Sequence, residues 1–201
     1  MSYLVLSNVL VGSATSDSFP QVVANMANLR KVFSKIYDKN VQKIYRFIFL
    51  KVNSKDIAKD LTSQTFLQGW EAFEKTKKQK NKRTIENPSA FLYQVARNLV
   101  IDFYRKEGRR DVISTDAYDI DLPDPKNNPE VVEAELILNS QMRRVRKALS
   151  ELEGDYQDVI IWYYLDGLTF SEIGQILDKS EGAVRVQTHR ALKKLREELE
   201  E

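Results

Sequence analysis

The chain has 201 residues, a formal net charge of +2, one histidine and no cysteine. The lack of cysteine excludes disulfides and thiolate metal sites, and a single histidine excludes a multi-histidine metal site and argues against a histidine-based catalytic triad. No apolar run reaches the roughly twenty residues that a membrane span requires. We therefore expect a cytoplasmic protein with one large or two small domains, without metal or cofactor.

The charges are unevenly distributed along the chain. The stretch from Lys75 to Arg110 contains eleven basic residues and three acidic ones. Residues 111–139 then contain eight carboxylates and a single lysine, and basic character returns between Lys179 and Arg196. This succession suggests two polyanion-binding modules joined by a stretch that polyanions repel, although chance clustering also produces such blocks.

Residues 1–28 are interpreted as a leader of unknown role. Their apolar start has no basic n-region, which argues against a signal peptide, and a flexible leader fits them better than a working element. The first domain is placed at 29–107. An apolar stripe at helical spacing indicates its first helix. The stripe consists of Val41, Ile44, Tyr45, Ile48 and Val52.

A second helix is predicted after Asn53, with Ser54 as its cap and with its end near Phe73. This helix has apolar residues on two sides, and a semi-polar third face lies between them. The third face fits a docking surface and the solvated strip of an ordinary core helix equally well. It consists of Asp60, Gln64 and Leu67, at i, i+4 and i+7.

A third helix is predicted from Pro88 to about Glu107, after a lysine-rich loop at 75–83. Asn87 is a good capping residue, and proline is favoured at the first helical position. One face is apolar, while the other combines cations, amides and aromatics, which can track a phosphate backbone and stack on unpaired bases. Partly buried anchoring tyrosines are the more frequent alternative. The apolar face comprises Leu92, Val95, Ala96, Leu99 and Phe103, and the opposite face comprises Gln94, Arg97, Asn98, Ile101 and Arg105, flanked by Tyr93 and Tyr104.

Residues 108–131 are predicted to form a linker, since they contain three prolines, many aspartates and little apolar periodicity. Helical periodicity returns near Val131 and opens a C-terminal domain at 132–201. One helix of this domain follows Gly154, and the pair Asp166-Gly167 is expected to end it.

The last part of the chain has the pattern of a helix-turn-helix. Thr169 and Glu172 have the spacing of a capping box that opens a short helix. Gly174 allows a second helix to cross closely above the first, Asp178 suits a left-handed turn position, and Ser180 can cap the second helix. Because these signals agree, a helix-turn-helix is favoured over an ordinary helical hairpin with a solvated basic face.

The second helix of this motif has two different faces. The apolar stripe is predicted to pack on the domain, and the opposite face presents cations and a glycine, as suits a helix that enters a major groove. The apolar stripe consists of Val184, Thr188, Ala191, Leu192, Leu195 and Leu199. The opposite face consists of Gly182, Arg185, Val186, His189, Arg190 and Lys193.

Three stretches of the chain resemble the bacterial sigma-70-type initiation factors, specifically the small extracytoplasmic-function group that keeps two of the conserved domains. Residues 56–70 resemble the helix by which the family grips the clamp helices of the polymerase's largest subunit. Residues 88–106 resemble the segment that recognises and melts the −10 promoter element, and residues 149–195 resemble the −35-reading domain. The three stretches occur in the family's order and spacing.

The resemblance implies an all-α fold of two small helical domains joined by an acidic, proline-containing linker, with the helix-turn-helix in the C-terminal domain. It assigns −10 binding to Phe91, Tyr93, Gln94, Arg97, Asn98, Asp102 and Arg105. It assigns −35 binding to Ser180, Glu181, Gly182, Arg185, Val186, His189, Arg190 and Lys193. It assigns core-polymerase binding to Asp60, Gln64, Leu67 and Trp70. Within the −10 set, Asn98 matches the family asparagine near the flipped non-template base.

The implied partners are promoter DNA and core RNA polymerase, whose clamp helices would bind the N-terminal domain and whose second-subunit flap would bind the C-terminal domain. An anti-sigma factor or another recruiting partner, a nucleoid-associated cytoplasmic location and the absence of catalysis by the chain itself are implied as well. The sequence departs from the family at two places. Ser63-Gln64 stands where Gln-Glu is usual, so part of the charge of the core-polymerase-binding face is missing. Phe91 stands where tryptophan is common.

Two other classes of function fit parts of the sequence. A DNA-binding regulator that acts without polymerase would use the same helix-turn-helix, but it leaves the Asp60, Gln64 and Leu67 face and Asn98 unexplained. A nucleic-acid-processing enzyme would need clustered carboxylates for metal ions, and the dense acidic cluster lies in the proline-containing linker, a poor place to hold rigid geometry. We therefore expect a transcription initiation factor.

Overall fold

The computed structural model describes residues 18–78, 85–107 and 141–200, and every regular element in these ranges is a helix. The all-α class predicted from the sequence is therefore confirmed. Residues 1–17 of the leader, loop residues 79–84, the linker at 108–131 and the first residues of the C-terminal domain lie outside the described part. The helices are α1 (Ser18–Val52), α2 (Lys55–Lys78), α3 (Pro88–Glu107), α4 (running through 141–151), α5 (Gly154–Ile160, continued by a π-helical turn at Ile161–Leu165), α6 (Phe170–Leu177) and α7 (Glu181–Glu200).

Two helix ends differ from those expected. Helix α1 begins at Ser18, inside the segment that the sequence assigned to the leader. Helix α2 begins after Ser54, as predicted, but continues to Lys78 instead of ending near Phe73. The prediction of a loop from residue 75 onward is therefore wrong for its first residues. Lysine is a good helix former, and no glycine or proline interrupts this stretch, so the helix extends beyond its apolar pattern.

The first three helices pack on one another around a core that each supplies with apolar side chains. Helix α3 starts as predicted, because the Asn87 Oδ1 accepts a hydrogen bond from the Ala90 backbone N–H at 3.1 Å. Side chains of α1 and α3 form the centre of this core. The largest fully buried ones are Ile44, Phe47, Ile48, Leu92, Tyr93 and Val100.

The same core continues into the C-terminal half of the chain. Trp162, in the π-helical turn after α5, is fully buried. Its ring lies 5.3 Å from that of Phe47 on α1 and 5.8 Å from that of Tyr93 on α3, measured between centroids. The described helices of both halves therefore share one hydrophobic cluster, a packing that the sequence did not reveal.

The close crossing of α6 and α7 depends on the absence of a Cβ atom at Gly174. A Cβ atom at Gly174 would lie 2.6 Å from the carbonyl oxygen of Lys179, which is closer than real Cβ contacts occur. The Lys179 backbone N–H also donates to the Gly174 carbonyl at 2.9 Å. The prediction that Gly174 permits a close crossing is confirmed.

We expect Gly174→Ala to destabilise the protein by about 1–3 kcal/mol, the usual effect of overpacking, because the opposing atom is backbone and cannot rotate away. The matched control is Gly182→Ala on α7, where a Cβ would meet nothing within 4 Å and where alanine is the better helix former. Urea unfolding followed by circular dichroism compares the two variants. Equal free energies of unfolding would contradict the steric account of this crossing.

Candidate nucleic-acid and polymerase interfaces

Local hydrogen bonds set the geometry of the helix-turn-helix. The Thr169 backbone N–H donates to Glu172 Oε2 at 2.8 Å, and the Glu172 N–H donates to Thr169 Oγ1 at 3.2 Å, which completes the predicted capping box. Asp178 adopts the predicted left-handed conformation, with φ 53°. The Ser180 hydroxyl accepts from the Ala183 N–H at 3.3 Å, as a cap for α7 should. These predictions are confirmed.

The capping box also changes the acidity of Glu172. The hydrogen bond from the Thr169 backbone is the largest influence and lowers the pKa of the Glu172 carboxyl, and the net shift is downward although partial burial acts in the opposite direction. A carboxylate at the first turn of a helix also interacts favourably with the helix dipole. The charged form of Glu172 therefore helps to fix the start of α6.

Helix α7 presents a continuous solvent-exposed surface. Its opposite side is buried as predicted, with Val184, Thr188 and Ala191 packed into the core. The structure therefore brings together all residues that the sequence assigned to the −35 element. The exposed residues are Ser180, Glu181, Gly182, Arg185, Val186, His189, Arg190 and Lys193.

The cations on this surface differ in whether a neighbouring side chain already binds them. The Arg185 guanidinium lies 2.9 Å from Glu181 Oε1 and 4.9 Å from the centre of the Phe170 ring. Lys193 lies 3.7 Å from Glu197. Arg190, by contrast, forms no ion pair with any residue in the described ranges. Arg190 is therefore the cation of this face that is most readily available to an incoming polyanion.

The residues that the sequence assigned to the −10 element occupy three different environments on α3. Two are exposed, four are partly buried, and one lies in the core. Asn98 and Arg105 are exposed, Phe91, Gln94, Arg97 and Asp102 are partly buried, and Tyr93 is 1% exposed. The polar face of α3 is therefore only partly open to solvent in this arrangement.

Tyr93 is buried because the C-terminal half covers it. Its hydroxyl donates a hydrogen bond to Asp166 Oδ2 at 2.7 Å. Burial first, and the neighbouring Asp166 carboxylate second, raise the pKa of Tyr93 far above its usual value. Tyr93 borders the apolar stripe of α3, and helical periodicity alone does not show whether such a residue is covered.

Arg97 is held by two carboxylates of α5. Its Nε donates to Asp158 Oδ2 at 2.8 Å, and one terminal nitrogen donates to Asp155 Oδ1 at 2.6 Å. Burial acts to lower the pKa of Arg97, but the two carboxylates outweigh it and the net shift is upward. Burial likewise acts to raise the pKa of Asp155, while Arg97 and Lys179 lower it overall. Arg97 and Asp155 are therefore charged at neutral pH.

Asp166 forms a second polar centre that the sequence analysis missed. Its carboxylate accepts from Arg46 as well as from Tyr93, and its carbonyl oxygen accepts from Lys43 Nζ at 2.8 Å. Burial is the largest influence and raises its pKa despite these partners. The pair Asp166-Gly167 does end the preceding helix, as predicted, but a helix-ending signal gives no information on long-range partners.

The predicted polymerase dock lies on one exposed face of α2. Asp60, Gln64 and Leu67 are exposed, and the Leu67 side chain reaches 59% exposure. Trp70 is partly buried, and its ring packs edge-on against Phe33 of α1 at 5.2 Å. Trp70 therefore joins this face to α1.

A cavity of about 500 Å³ adjoins Trp70 and was not identified from the sequence. The spacing of two α1 aromatics, Phe33 and Tyr37, at i and i+4 was the available signal, because such residues lie on the same face of a helix. The lining residues are Arg30, Phe33, Ser34, Tyr37, Trp70 and Glu74.

Comparison with protein families identifies two regions of the chain. The model of Sigma-70 region 2 matches residues 36–110, and that of Sigma-70, region 4 matches residues 142–195. The ECF RNA polymerase sigma factor SigX of Bacillus subtilis is 25% identical over 174 residues, which cover 86% of this chain and 86% of SigX. The chain belongs to the sigma-70 family, in its extracytoplasmic-function (ECF) group. As an ECF sigma factor, it is a promoter-recognising transcription initiation factor.

Another relative, the ECF RNA polymerase sigma factor BldN of Streptomyces coelicolor, is 28% identical to this sigma factor over 173 residues. The match covers 81% of this chain but 58% of BldN, so the chain spans little more than half of that relative's length. The region 2 match contains every residue assigned above to the −10 element and to core polymerase. The region 4 match contains every residue assigned to the −35 element.

Two solved structures share the fold. The sigma factor RpoE of Bartonella quintana, solved with the anti-sigma factor NepR, superposes with a TM-score of 0.61 at 21% identity, over 85% of this chain and 98% of RpoE. CnrH, solved with the cytosolic domain of CnrY, gives a TM-score of 0.56 at 18% identity, over 85% and 89% of the two chains. Within the residues that the structure describes, no helix of this sigma factor combines the length and apolar character needed to cross a membrane.

Thr169→Ala removes the hydroxyl hydrogen bond to Glu172 and keeps the backbone one. We therefore expect it to raise the pKa of Glu172 only part of the way to its ordinary value and to lower stability by about 1 kcal/mol. Because the folded-state pKa of Glu172 is depressed, its contribution is present above the unfolded pKa and is lost as pH falls through the folded pKa. The variant should therefore lose less stability on acidification. Carboxyl-detected NMR titration and urea unfolding measure both effects.

The control for this prediction is Ser180→Ala, which removes the cap of α7 and leaves the Thr169–Glu172 pair intact. It should have a similar effect on stability and no effect on the pKa of Glu172. An unchanged pKa of Glu172 in Thr169→Ala would contradict a contribution of the Thr169 hydroxyl to the shift.

Proposed function

We propose that this sigma factor reads promoters with two surfaces, the exposed face of α7 for −35 duplex and the polar face of α3 for opened −10 strands, while α2 binds core polymerase. The observation that carries the proposal is the uninterrupted exposed face of α7, held at a fixed angle by the capped α6–α7 motif. In vitro transcription with core polymerase on a randomised promoter library tests it, and failure to initiate on any template would contradict it.

The geometry of α7 suits a major groove. A recognition helix enters that groove with its N-terminal residues on the base edges, and Ser180, Glu181 and Gly182 lie at this end. Gly182 has open space around its α-carbon, so the backbone can approach DNA closely. Arg185 and Arg190 follow on the same side, where arginine can bind guanine edges or phosphates.

The face of α3 suits single strands. Asn98 is exposed and carries both a donor and an acceptor, which fits the edge of an unpaired base. Extruding a base from the stack costs a few kcal/mol, and stacking on aromatic side chains offsets roughly 1–3 kcal/mol per base. Phe91, Gln94, Arg97, Asp102 and Arg105 surround Asn98 along the helix and complete the proposed site, with Tyr93 as its buried support.

The partners follow from the same surfaces. The exposed Asp60, Gln64 and Leu67, with Trp70, would contact the clamp helices of the largest polymerase subunit, and the C-terminal half would contact the flap of the second subunit. The acidic linker would run through the polymerase cleft. The phosphodiester chemistry belongs to the polymerase, and we place the protein in the cytoplasm, associated with the nucleoid.

An anti-sigma factor or another recruiting protein is the proposed regulator. The sigma factor RpoE of Bartonella quintana was solved with the anti-sigma factor NepR, and CnrH, of similar fold, with the cytosolic domain of CnrY. The likeness to RpoE supports the same kind of partner for this chain.

We expect Arg190→Ala to weaken binding of the holoenzyme to the −35 element by about 1–3 kcal/mol if Arg190 reads a base, and to reduce the salt dependence by about one charge if it binds a phosphate. Arg143→Ala is the matched control, because it removes the same charge from an exposed residue of the same half that lies on α4 and not on α7. Fluorescence anisotropy on promoter duplex at several salt concentrations measures the effect. Equal losses in both variants would exclude a specific role for Arg190.

We expect Leu67→Ala to weaken core-polymerase binding at least fivefold, since an exposed leucine at an interface loses most of its buried area on truncation. Ile101→Ala is the control, an aliphatic residue of comparable exposure (47% against 59%) on α3, outside the surfaces proposed to contact polymerase. Surface plasmon resonance with immobilised core polymerase gives both dissociation constants. Unchanged binding by Leu67→Ala would remove this face of α2 from the proposed interface.

A further inference from the structure

A small cavity lies between the end of α1 and helix α4, and its volume is about 130 Å³. Its lining includes Phe49, Leu50 and Lys51 on α1, with Arg146 and Lys147 on α4. None of its lining residues was assigned above to the −10, −35 or core-polymerase sets, and none of those in the described part of the chain is acidic. A recess lined by charge of one sign concentrates ions of the opposite sign. The cavity is therefore suited to an anion.

Arg146 has a buried N–H group without an acceptor. Its Nε atom is shielded from solvent and has no hydrogen-bond partner among the described residues. The guanidinium packs against the Phe49 ring, 5.7 Å from the ring centre. A buried, unsatisfied donor is destabilising, most of all in a charged group. Water could satisfy this N–H but would leave the positive charge uncompensated, whereas an anion provides both an acceptor and a counter-charge.

The carbonyl groups at the end of α1 already accept hydrogen bonds from residues other than the α4 cations. A cation near the C-terminus of a helix often binds the last free carbonyls. Here the donors to the carbonyls of Phe49, Leu50 and Lys51 are the Asn53 backbone N–H, the Gln157 amide and the Tyr104 hydroxyl, respectively. Arg146 and Lys147 therefore do not serve as the cap of α1.

The carboxylate that binds Lys51 is shared with α3 and not with α4. Asp158 lies 2.8 Å from Lys51 Nζ and 2.8 Å from Arg97 Nε. Within the residues that the structure describes, neither Arg146 nor Lys147 forms an ion pair. The positive charge on the α4 side of the cavity is therefore not balanced by these parts of the chain.

The size of the cavity favours a phosphate group. One water molecule takes about 30 Å³ of the liquid, so the cavity has room for about four waters or one phosphate. A pocket for a whole small-molecule ligand measures roughly 300 Å³ or more, so a nucleotide could insert only its phosphate end. The Phe49 ring, which could otherwise stack on a base, already packs against Arg146 and stacks with Tyr45 at 6.0 Å. The cavity is therefore fitted to the phosphate and not to a base.

We propose that this cavity binds the phosphate group of a small anion, either free phosphate or a phosphorylated small molecule, through Arg146 and Lys147. A guanidinium binds phosphate through its Nε–H and one terminal N–H, and a lysine ammonium adds a point charge. Lys51, whose side chain is 9% exposed, adds positive potential although Asp158 holds it. The bound anion connects α4 to the end of α1. This site does not depend on the proposed mode of promoter recognition.

NMR titration of the full-length chain with inorganic phosphate tests the site directly, at constant ionic strength with sodium chloride as the balancing salt. Proton–nitrogen correlation spectra of the arginine Nε–H groups observe the proposed donor itself, and Arg146→Lys identifies its signal by removing it. The Arg146 signal should shift saturably with phosphate and at least tenfold less with chloride alone. Equal shifts in the two salts would overturn the proposal, because they would report only charge screening.

A double variant tests which cations bind the anion. Arg146→Gln with Lys147→Gln should weaken phosphate binding at least tenfold in isothermal titration calorimetry. Lys194→Gln with Arg196→Gln is the matched control, which removes the same charge from exposed residues of α7 and should change the dissociation constant less than twofold. Equal affinities of the two variants would contradict the assignment. Circular dichroism verifies folding, and if the first variant does not fold, Lys147→Gln alone, at an exposed position, should still weaken binding at least threefold.

Further ligands distinguish the source of the phosphate. Adenosine, which has no phosphate, should not shift the Arg146 signal, and adenosine and guanosine triphosphates should bind within about threefold of each other. If inorganic phosphate binds as tightly as they do, free phosphate is the ligand, and tighter binding of the nucleotides identifies a phosphorylated small molecule. A strong preference for one base would overturn recognition through phosphate alone. Displacement of phosphate by promoter duplex would replace the proposed ligand by DNA.

The bound anion should also stabilise the folded chain. At a phosphate concentration of ten times the dissociation constant, the ratio of folded to unfolded protein should rise about elevenfold. Urea unfolding measures this rise, which should be absent from the variant with Arg146→Gln and Lys147→Gln, and an equal rise in that variant would overturn the proposal. These measurements need neither promoter nor polymerase, so their failure leaves the proposed function untouched, and failure to initiate transcription leaves this site untouched.

Discussion

The relation between the two halves of this sigma factor is governed by two buried carboxylates that depend on cations from the other half. Asp158 and Asp166 are 2% and 3% exposed. Both lie in the C-terminal half, and their partners Arg46, Lys51 and Arg97 all lie on α1 and α3. A buried carboxylate that loses its partner is strongly destabilising, so small sliding movements are disfavoured. The halves either keep every pair or separate far enough for water to hydrate both charges.

Apolar packing and ion pairs contribute differently to the interface between the two halves. The rings of Phe47, Tyr93 and Trp162 are fully buried and pack against one another, and burial of apolar area is favourable in almost any orientation. The ion pairs at Asp158 and Asp166 contribute less net stability, because desolvation opposes them, but they accept a single register. The interface is thus held together by aromatic side chains and aligned by charged ones.

Features that depend on residues a few positions apart could be predicted from the sequence. Contacts between residues far apart in the chain could not. The capping box at Thr169, the left-handed Asp178 and the start of α3 at Asn87 each depend on neighbours within three or four positions, and each was predicted correctly. The exposed faces of α2 and α7 followed from helical periodicity. Periodicity shows which side of α3 is apolar, but not that the C-terminal half covers Tyr93 and binds Arg97, because those contacts join residues about sixty to seventy positions apart.

The π-helical turn at Ile161–Leu165 allows one short helix to contact both the N-terminal helices and α6. The Asp166 N–H bonds to the Ile161 carbonyl, five residues back, so this turn accommodates one more residue than a regular α-helical turn. Trp162 can therefore point toward α1 and α3 while the adjacent Tyr163 stacks flat on Phe170 of α6, with 4.4 Å between ring centroids. A single widened turn therefore places one aromatic ring in the core shared with α1 and α3 and the next one against the first helix of the recognition motif.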